Sequence, residues 1–500
     1  MSATILYQDI AIGAAEAATV TSNGTKDFAD ISLLPFGDGN APRASFETGA
    51  WGLGGQHYGV PEQGVAYWSS DVSDENGEFA IAPNITITFS EYFSSTGITL
   101  LFPPYDYCRN VNVKWYINDF QKESEDFAVY NSTYVCEKTV EGFNKIVITF
   151  QNTFLPYSSA KLYQIYIGTY RKFGLDELRN VQVANETDLI TAKLPISQLK
   201  WTLDSKRPVD YMFQFKQPVE ARLDDELFCI YYVKEANRIS ANVYEVVCQD
   251  AFGILETIPF SGMKYDNVSA LSLFTSLIGN RFPLYITAAD KEISGVILPS
   301  NLREAIRQVL FSWGVCAATD NCDGIRVFDP STKITIIPEN RTYTGVSVKK
   351  ETSVTQVNVT AHEYVISDNG TIEINGVRYN DNKTVYSVIN PLANSSSQEN
   401  IIDITDATLV SNDTAQTTAQ KVYNVYSERS EIDATILWGK EKLGDFVIIS
   451  NEWGGVESGN IEKIEMIFSH TLAARLSIRK SRTAQDNYYS GELYAGEADA

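Results

Sequence analysis

Residues Leu194–Glu256 read LPISQLKWTLDSKRPVDYMFQFKQPVEARLDDELFCIYYVKEANRISANVYEVVCQDAFGILE. Polar and apolar residues alternate in short beats separated by turn residues. The last beat, Asn242–Cys248, breaks at Asp250-Ala251-Phe252-Gly253. Period-2 alternation between turn signals is the pattern of antiparallel strands, not of helices. The stretch therefore predicts a small antiparallel barrel, and it carries no catalytic constellation.

The rest of the chain fits a strand-rich protein. Its 500 residues exceed what one hydrophobic core serves, which predicts two to four domains. Aromatic residues make up 12%, with 28 Tyr and 24 Phe, side chains that favour the pleated surface of a sheet. Lys and Arg number 40 against 63 Asp and Glu, a net charge of −23. Such a surface repels phosphate and argues against sequence-specific nucleic-acid binding. Cys108, Cys136, Cys229, Cys248, Cys316 and Cys322 are scattered without a CxxC pair, the distribution of free buried thiols. The start, MSATILYQDIAIGAAEAATV, has no basic region and carries Asp9 and Glu16, unlike a secretory signal. No apolar run approaches the ~18 residues a transmembrane helix needs, so synthesis in the cytoplasm is expected.

Turn signals mark Gly37-Asp38-Gly39-Asn40 and Gly52–Gly55, and strands follow at Ile85–Phe89, Gly97–Phe102, Val111–Ile117, Lys145–Phe150 and Ala160–Gly168. Their spacing without helical patterns predicts a β-sandwich. Arg171–Thr191 is polar and reads as a connector, part strand. Helical periodicity then appears at Asn267–Ile278, with Asn267 in the cap position, and at Asn301–Gly314. There Leu302, Ile306, Val309, Leu310 and Trp313 form the apolar stripe, Glu304 and Gln308 the other side, and Gly314 the C-cap. Strands resume at Gly324–Phe328, Lys333–Pro338 and Val354–Tyr364, a third helix covers Ala415–Ser430, and a further strand passes through Leu443–Ile448 before a turn at Trp453–Gly459. The expected fold class is mostly β with α+β segments. The expected domains are a sandwich over 1–175, a first barrel over 176–260, an α/β segment over 261–350, a second barrel with its helix over 351–485, and an acidic tail over 486–500.

Catalytic patterns are missing. The three histidines, His57, His362 and His470, are isolated, and His362-Glu363 lacks the second histidine of a zinc-peptidase HExxH. There is no GxSxG, P-loop or dinucleotide fingerprint. Asp71–Glu78 is oxygen-rich, but an EF-hand frame counted from Asp71 puts Asn76 at the glycine position and Ala82 at the closing glutamate. No metal, cofactor or catalytic residue is expected. The one ligand-directed feature is an aromatic-rich block near the N-terminus. Its rings at Trp51, Tyr58, Trp68 and Tyr105 are candidates to stack on a glycan from loops at one end of the sandwich.

Two blocks resemble known families. YQDIAIGAAE (Tyr7–Glu16), ASFE (Ala44–Glu47), WGLGG (Trp51–Gly55), ITITF and TGITLLF (Thr96–Phe102) resemble the galactose-binding-like (discoidin-type) sandwich at the front of some phage tail proteins. LPISQL (Leu194–Leu199), YEVVCQDAFGILE (Tyr244–Glu256), NLREAIRQVLFSWG, the Ala415–Ser430 helix and GDFVIIS (Gly444–Ser450) are similar in order to the bacteriophage tail hub, or baseplate hub, family. That resemblance implies two barrels per chain, a homotrimeric ring, and a structural virion component at the tail tip, made in the host bacterial cytoplasm. It also implies contacts with the tail tube or distal tail protein and with the tape-measure protein's C-terminus, opening for DNA ejection, and no enzymatic activity. The alternatives are a carbohydrate-binding adhesin for host-surface glycans and a cell-wall or capsule glycoside hydrolase.

Overall fold

In this computed structural model the described residues are 3–27, 29–34, 66–103, 105–205, 213–224, 226–331, 333–343, 345–350, 352–393, 397–427, 430–451, 455–468 and 472–480. The turn signals at 37–40 and 52–55, Trp51, Tyr58, His57, His470, Trp453, Gly454 and the tail from 486 lie outside them, and Val456–Gly459 of the expected 453–459 turn belong instead to the strand Val456–Ile467. The chain divides into two compact units, residues 6–172 with 209–218, and residues 1–5, 173–208 and 219–500.

The first unit is built on a six-stranded sheet. Ala18–Ser22, Asn84–Leu101, Thr133–Thr153, Cys108–Ile117 and Phe120–Ala128 pair in that order, and Gln164–Tyr166 pairs with Asn84–Leu101. Alternate residues Ile85, Ile87, Phe89, Val111, Val113, Trp115, Ile146, Ile148 and Phe150 point into one core. A second layer, Tyr67–Val72 paired with Ser159–Leu162, covers that face, with the Tyr67 ring 5.7 Å from Phe150. The two strands expected at 85–89 and 97–102 are one strand, Asn84–Leu101. Register shifts between Thr88 and Gly97 absorb the polar SEYFSST segment without ending the ladder to Thr133–Thr153. Gly97 sits where a Cβ would strike the Cys136 carbonyl. Residues 213–218 join this unit through Tyr7, whose ring stacks on Phe213 at 4.6 Å, and through Gln217, whose Nε2 donates to Asp9 Oδ1 at 2.8 Å.

In the second unit the stretch that opened the sequence forms Gln198–Asp204, Pro218–Leu223, Glu226–Arg238 and Val243–Gln249. They pair in the spatial order Pro218–Leu223, Glu226–Arg238, Val243–Gln249, Gln198–Asp204. Leu178–Glu186 lies against Gln198–Asp204 on one side and against Val456–Ile467 on the other, antiparallel to both. Beyond it the ladder continues through Ala473–Arg479, Ser430–Leu437 and Ser347–Lys350, with Phe446–Ser450 bridging Val456–Ile467 to Ile334–Ile337. Two strand lobes, drawn from distant parts of the chain, thus share Leu178–Glu186.

Four α-helices occur among the described residues: α1 (Ala251–Glu256), α2 (Ala270–Ile278), α3 (Leu302–Trp313) and α4 (Asn412–Tyr426). The break at Asp250 is the N-cap of α1, its carboxylate accepting from Gly253 N. α2 starts later than Asn267 implied. Asn267 stays in the strand Met263–Ser269, and Ser269 is the cap, accepting from Ser272 N at 3.0 Å. α3 runs between Asn301, which accepts from Glu304 N at 2.9 Å, and a left-handed Gly314 with φ of 82°. Gln308, read as an outer residue, is 5% exposed because both ends of its amide are engaged. Its Nε2 donates to the Asp406 carbonyl at 2.6 Å and its Oε1 accepts from Thr408 N at 3.0 Å. α1–α3 share a core containing Phe252, Leu255, Phe274, Ile306, Leu310 and Trp313. The segment 351–485 divides between two sheets. Gln356–Ile366, Ile372–Ile374, Val377–Ile389 and Ile401–Ile404 form a four-stranded sheet on which α4 packs, and strands from Ser430 onward enter the large ladder.

Candidate functional site

In the first unit three loops meet at one end of the sheet. Phe102 N donates to the Ser132 carbonyl at 2.7 Å, Phe154 N to the Tyr107 carbonyl at 2.8 Å, and Tyr163 N to the Leu101 carbonyl at 2.8 Å. These bonds gather the turns around 103–107, 129–132 and 154–158. Their tips carry Tyr105, Tyr130 and Tyr157, which are 75%, 74% and 61% exposed. Tyr105 also holds a positive φ of 61°, an uncommon conformation for a bulky residue. Beneath this end Asp106 and Lys161 form a buried ion pair at 2.6 Å, and the Lys161 ammonium lies 4.6 Å from the Trp68 ring centroid.

The expected glycan-facing residues therefore part company. Tyr105 projects outward, whereas Trp68 is 2% exposed and serves as a wall for the buried lysine. Trp51 and Tyr58 lie outside the described residues. Tyr130 and Tyr157 carry no signal of their own in the sequence. Only the strand pairing Leu101 with Thr133 and Cys108 with Thr153 places their loops beside Tyr105.

A charged cleft of about 660 Å³ in the second unit is lined by the loop after Leu178–Glu186, α3, Asp406, Tyr426 and the last strands. Tyr426 Oη donates to Asp188 Oδ1 at 2.9 Å. Arg479 Nε donates to Glu462 Oε1 at 2.7 Å, with its guanidinium over the Tyr426 ring at 5.3 Å. Arg307 reaches Glu304 at 2.6 Å and Asp406 at 2.7 Å. Burial pushes the Glu462 carboxyl up to about 7 even though Arg479 pulls it down. These contacts tie α3, Asp406, Tyr426 and the last strands to one another across the cleft.

Among the described residues no group of three His, Cys, Asp or Glu is placed to hold a metal ion. The cysteines are free, and burial pushes the Cys136 and Cys248 thiols up to about 12. His362 is bound on both ring nitrogens, Nδ1 to Asp381 Oδ2 at 2.9 Å and Nε2 to the Thr405 carbonyl at 3.2 Å. No helix among the described residues is long and apolar enough to cross a membrane.

No protein-family model matches the chain, and no curated protein matches it. Solved structures do. A tail protein from Neisseria meningitidis MC58 is 9% identical with a TM-score of 0.46, over 62% of this chain and 94% of that one. The 43 kDa tail protein of prophage MuSo2 from Shewanella oneidensis is 10% identical with a TM-score of 0.45, over 63% and 97%. The family 32 carbohydrate-binding module of C. perfringens NanJ is 10% identical with a TM-score of 0.22, over 32% of this chain and 98% of that one. The chain itself is a mostly β protein with α+β segments, as its composition and alternation predict.

Proposed function

We propose that the chain is a structural component of a phage or phage-like tail, a homotrimeric hub at the tail tip. The observation that carries this reading is the sharing of Leu178–Glu186 by two antiparallel lobes. A part joining a sixfold tube to a threefold tip needs two comparable wall elements per chain, held at fixed spacing, so that three chains present six. A strand hydrogen-bonded on both sides supplies that spacing, and closed cyclic symmetry keeps assembly finite. In this role the ring meets the tail tube or distal tail protein on one side, holds the tape-measure protein's C-terminus in its lumen, and opens for genome ejection. It turns over no substrate. Native mass spectrometry and negative-stain microscopy of the purified chain test the proposal. A species at three times the 55.7 kDa chain mass, seen as a ring, is expected. A monomer throughout the micromolar range sinks it.

A second reading concerns the first unit alone. The exposed Tyr105, Tyr130 and Tyr157 on three tied loops favour contact with host-surface glycans, since exposed rings stack on the apolar faces of sugars. A glycan array with the full chain is expected to give signals that Tyr105→Ala and Tyr130→Ala abolish. An array blank for the unaltered chain removes this reading and leaves the hub untouched.

A further inference from the structure

The second unit contains a smaller cavity of about 340 Å³ beside α3 and the four-stranded sheet. Its walls mix apolar side chains, Ile297, Leu298 and Ile372, with the polar group His362, Tyr364, Asp381 and Thr408. Three of those polar atoms, Tyr364 Oη, Asp381 Oδ1 and Thr408 Oγ1, are buried and make no hydrogen bond among the described residues. Thr408 is 7% exposed, and the Asp381 side chain is 10% exposed. Buried groups of this kind are destabilising unless something pairs with them. Three converging on one cavity are uncommon enough to require an account.

The charges around the cavity are already answered. Asp381 Oδ2 faces His362 Nδ1 at 2.9 Å and Lys383 Nζ at 3.7 Å, and only Oδ1 is left over. Glu304 and Asp406 at the rim are both held by Arg307. The Tyr364 ring lies parallel to His362, with centroids 6.0 Å apart and planes 8° apart. Burial, reinforced by Asp381, pushes the Tyr364 phenol up, so the group is a neutral hydroxyl. Thr408 opposes that rise from hydrogen-bonding range, but the contact is too long or too poorly aligned to satisfy either buried hydroxyl. What the cavity lacks is therefore not a counter-ion but a set of neutral donors and acceptors. Its volume exceeds what one bridging water fills and falls at the small end of the roughly 300–1,000 Å³ typical of small-molecule pockets.

We propose that this cavity binds a small, neutral, hydroxyl-bearing molecule the size of one sugar residue, which donates to Asp381 Oδ1 and exchanges hydrogen bonds with Tyr364 and Thr408 while its carbon face lies on Ile372 and Leu298. The site is separate from the tyrosine-bearing loops of the first unit and does not depend on the hub assignment. Saturation-transfer NMR of the full chain with glycerol, glucose, galactose and N-acetylglucosamine tests it, with affinity from titration. At least one of these is expected to bind, at least tenfold more weakly to Tyr364→Phe and Thr408→Val and unchanged with Tyr105→Ala. Absence of binding by all four overturns the proposal. So does binding that survives both cavity variants and disappears with Tyr105→Ala, which would assign the sugar to the other unit. A crystal of the unaltered chain grown with the bound sugar gives a readout free of folding effects. Sugar density against Asp381 supports the site, and water alone there rejects it.

Discussion

Asp250 is fully buried at the seam between a strand and α1, surrounded by donors. Ser197 N lies 3.1 Å and Thr319 Oγ1 3.0 Å from Oδ2, and Gly253 N 3.3 Å from Oδ1. Burial nevertheless dominates and raises its carboxyl to about 6, the hydrogen bonds opposing the rise. The folded state thus keeps a proton that the unfolded chain releases near 4, so this group's contribution to stability falls as pH rises from about 4 to about 6. Across that window the loss amounts to about 3 kcal/mol. Glu462, raised to about 7, extends the same trend toward neutrality. Urea unfolding at a series of pH values should show Asp250→Asn with a flatter profile between pH 4 and 6 than the unaltered chain. An identical slope would remove Asp250 as its source. Lys161 and Asp106 make a second residue-scale case. Asp106→Ala takes the carboxylate away from a buried lysine and should cost about 3–5 kcal/mol, while the paired change Asp106→Leu with Lys161→Met should recover most of it. Thermal unfolding of the three forms decides, and a double variant as weak as the single one contradicts the account.

At the scale of elements, α3 shows how much local chemistry can announce. An asparagine cap, apolar spacing of three and four, and a terminal glycine all act within one helix, and all three appear as read. Asn301→Ala should cost about 1 kcal/mol, seen as a lower denaturant midpoint with the slope unchanged. Gln308 escapes such a reading because its partners, Asp406 and Thr408, are distant in sequence. The same limit hides Leu178–Glu186 inside a polar connector. Val181, Val183 and Asn185 face inward while Asn180, Gln182, Ala184 and Glu186 alternate with them. Nothing local says that such a strand is flanked on both sides. The aromatic end of the first unit is half legible, since ring content is visible in sequence but exposure is not. Trp68 and Tyr105 look alike on paper and differ completely in the fold.

For the whole molecule, the continuity of the large ladder is what matters. A proline cannot donate to a ladder and is tolerated only at edges. Val183→Pro, in a strand paired with Leu199 and Met466, should abolish soluble folded protein. Lys350→Pro, at the end of the strand path, should leave most of the yield and the thermal midpoint within a few degrees. Equal tolerance of the two changes would mean that the lobes do not depend on their common strand.

That common strand also sets an order of events during synthesis. Its first partner, Gln198–Asp204, leaves the ribosome a few residues after it, whereas its second, residues 463–467 of Val456–Ile467, comes far later. In the interval one side of Leu178–Glu186 offers bare amides and carbonyls to any passing chain, the condition under which strands pair wrongly. Val181 and Val183 are followed there by Asn185 and Glu186, and no long apolar run is left open. The polar character that disguised the strand as a linker is also what makes the wait tolerable.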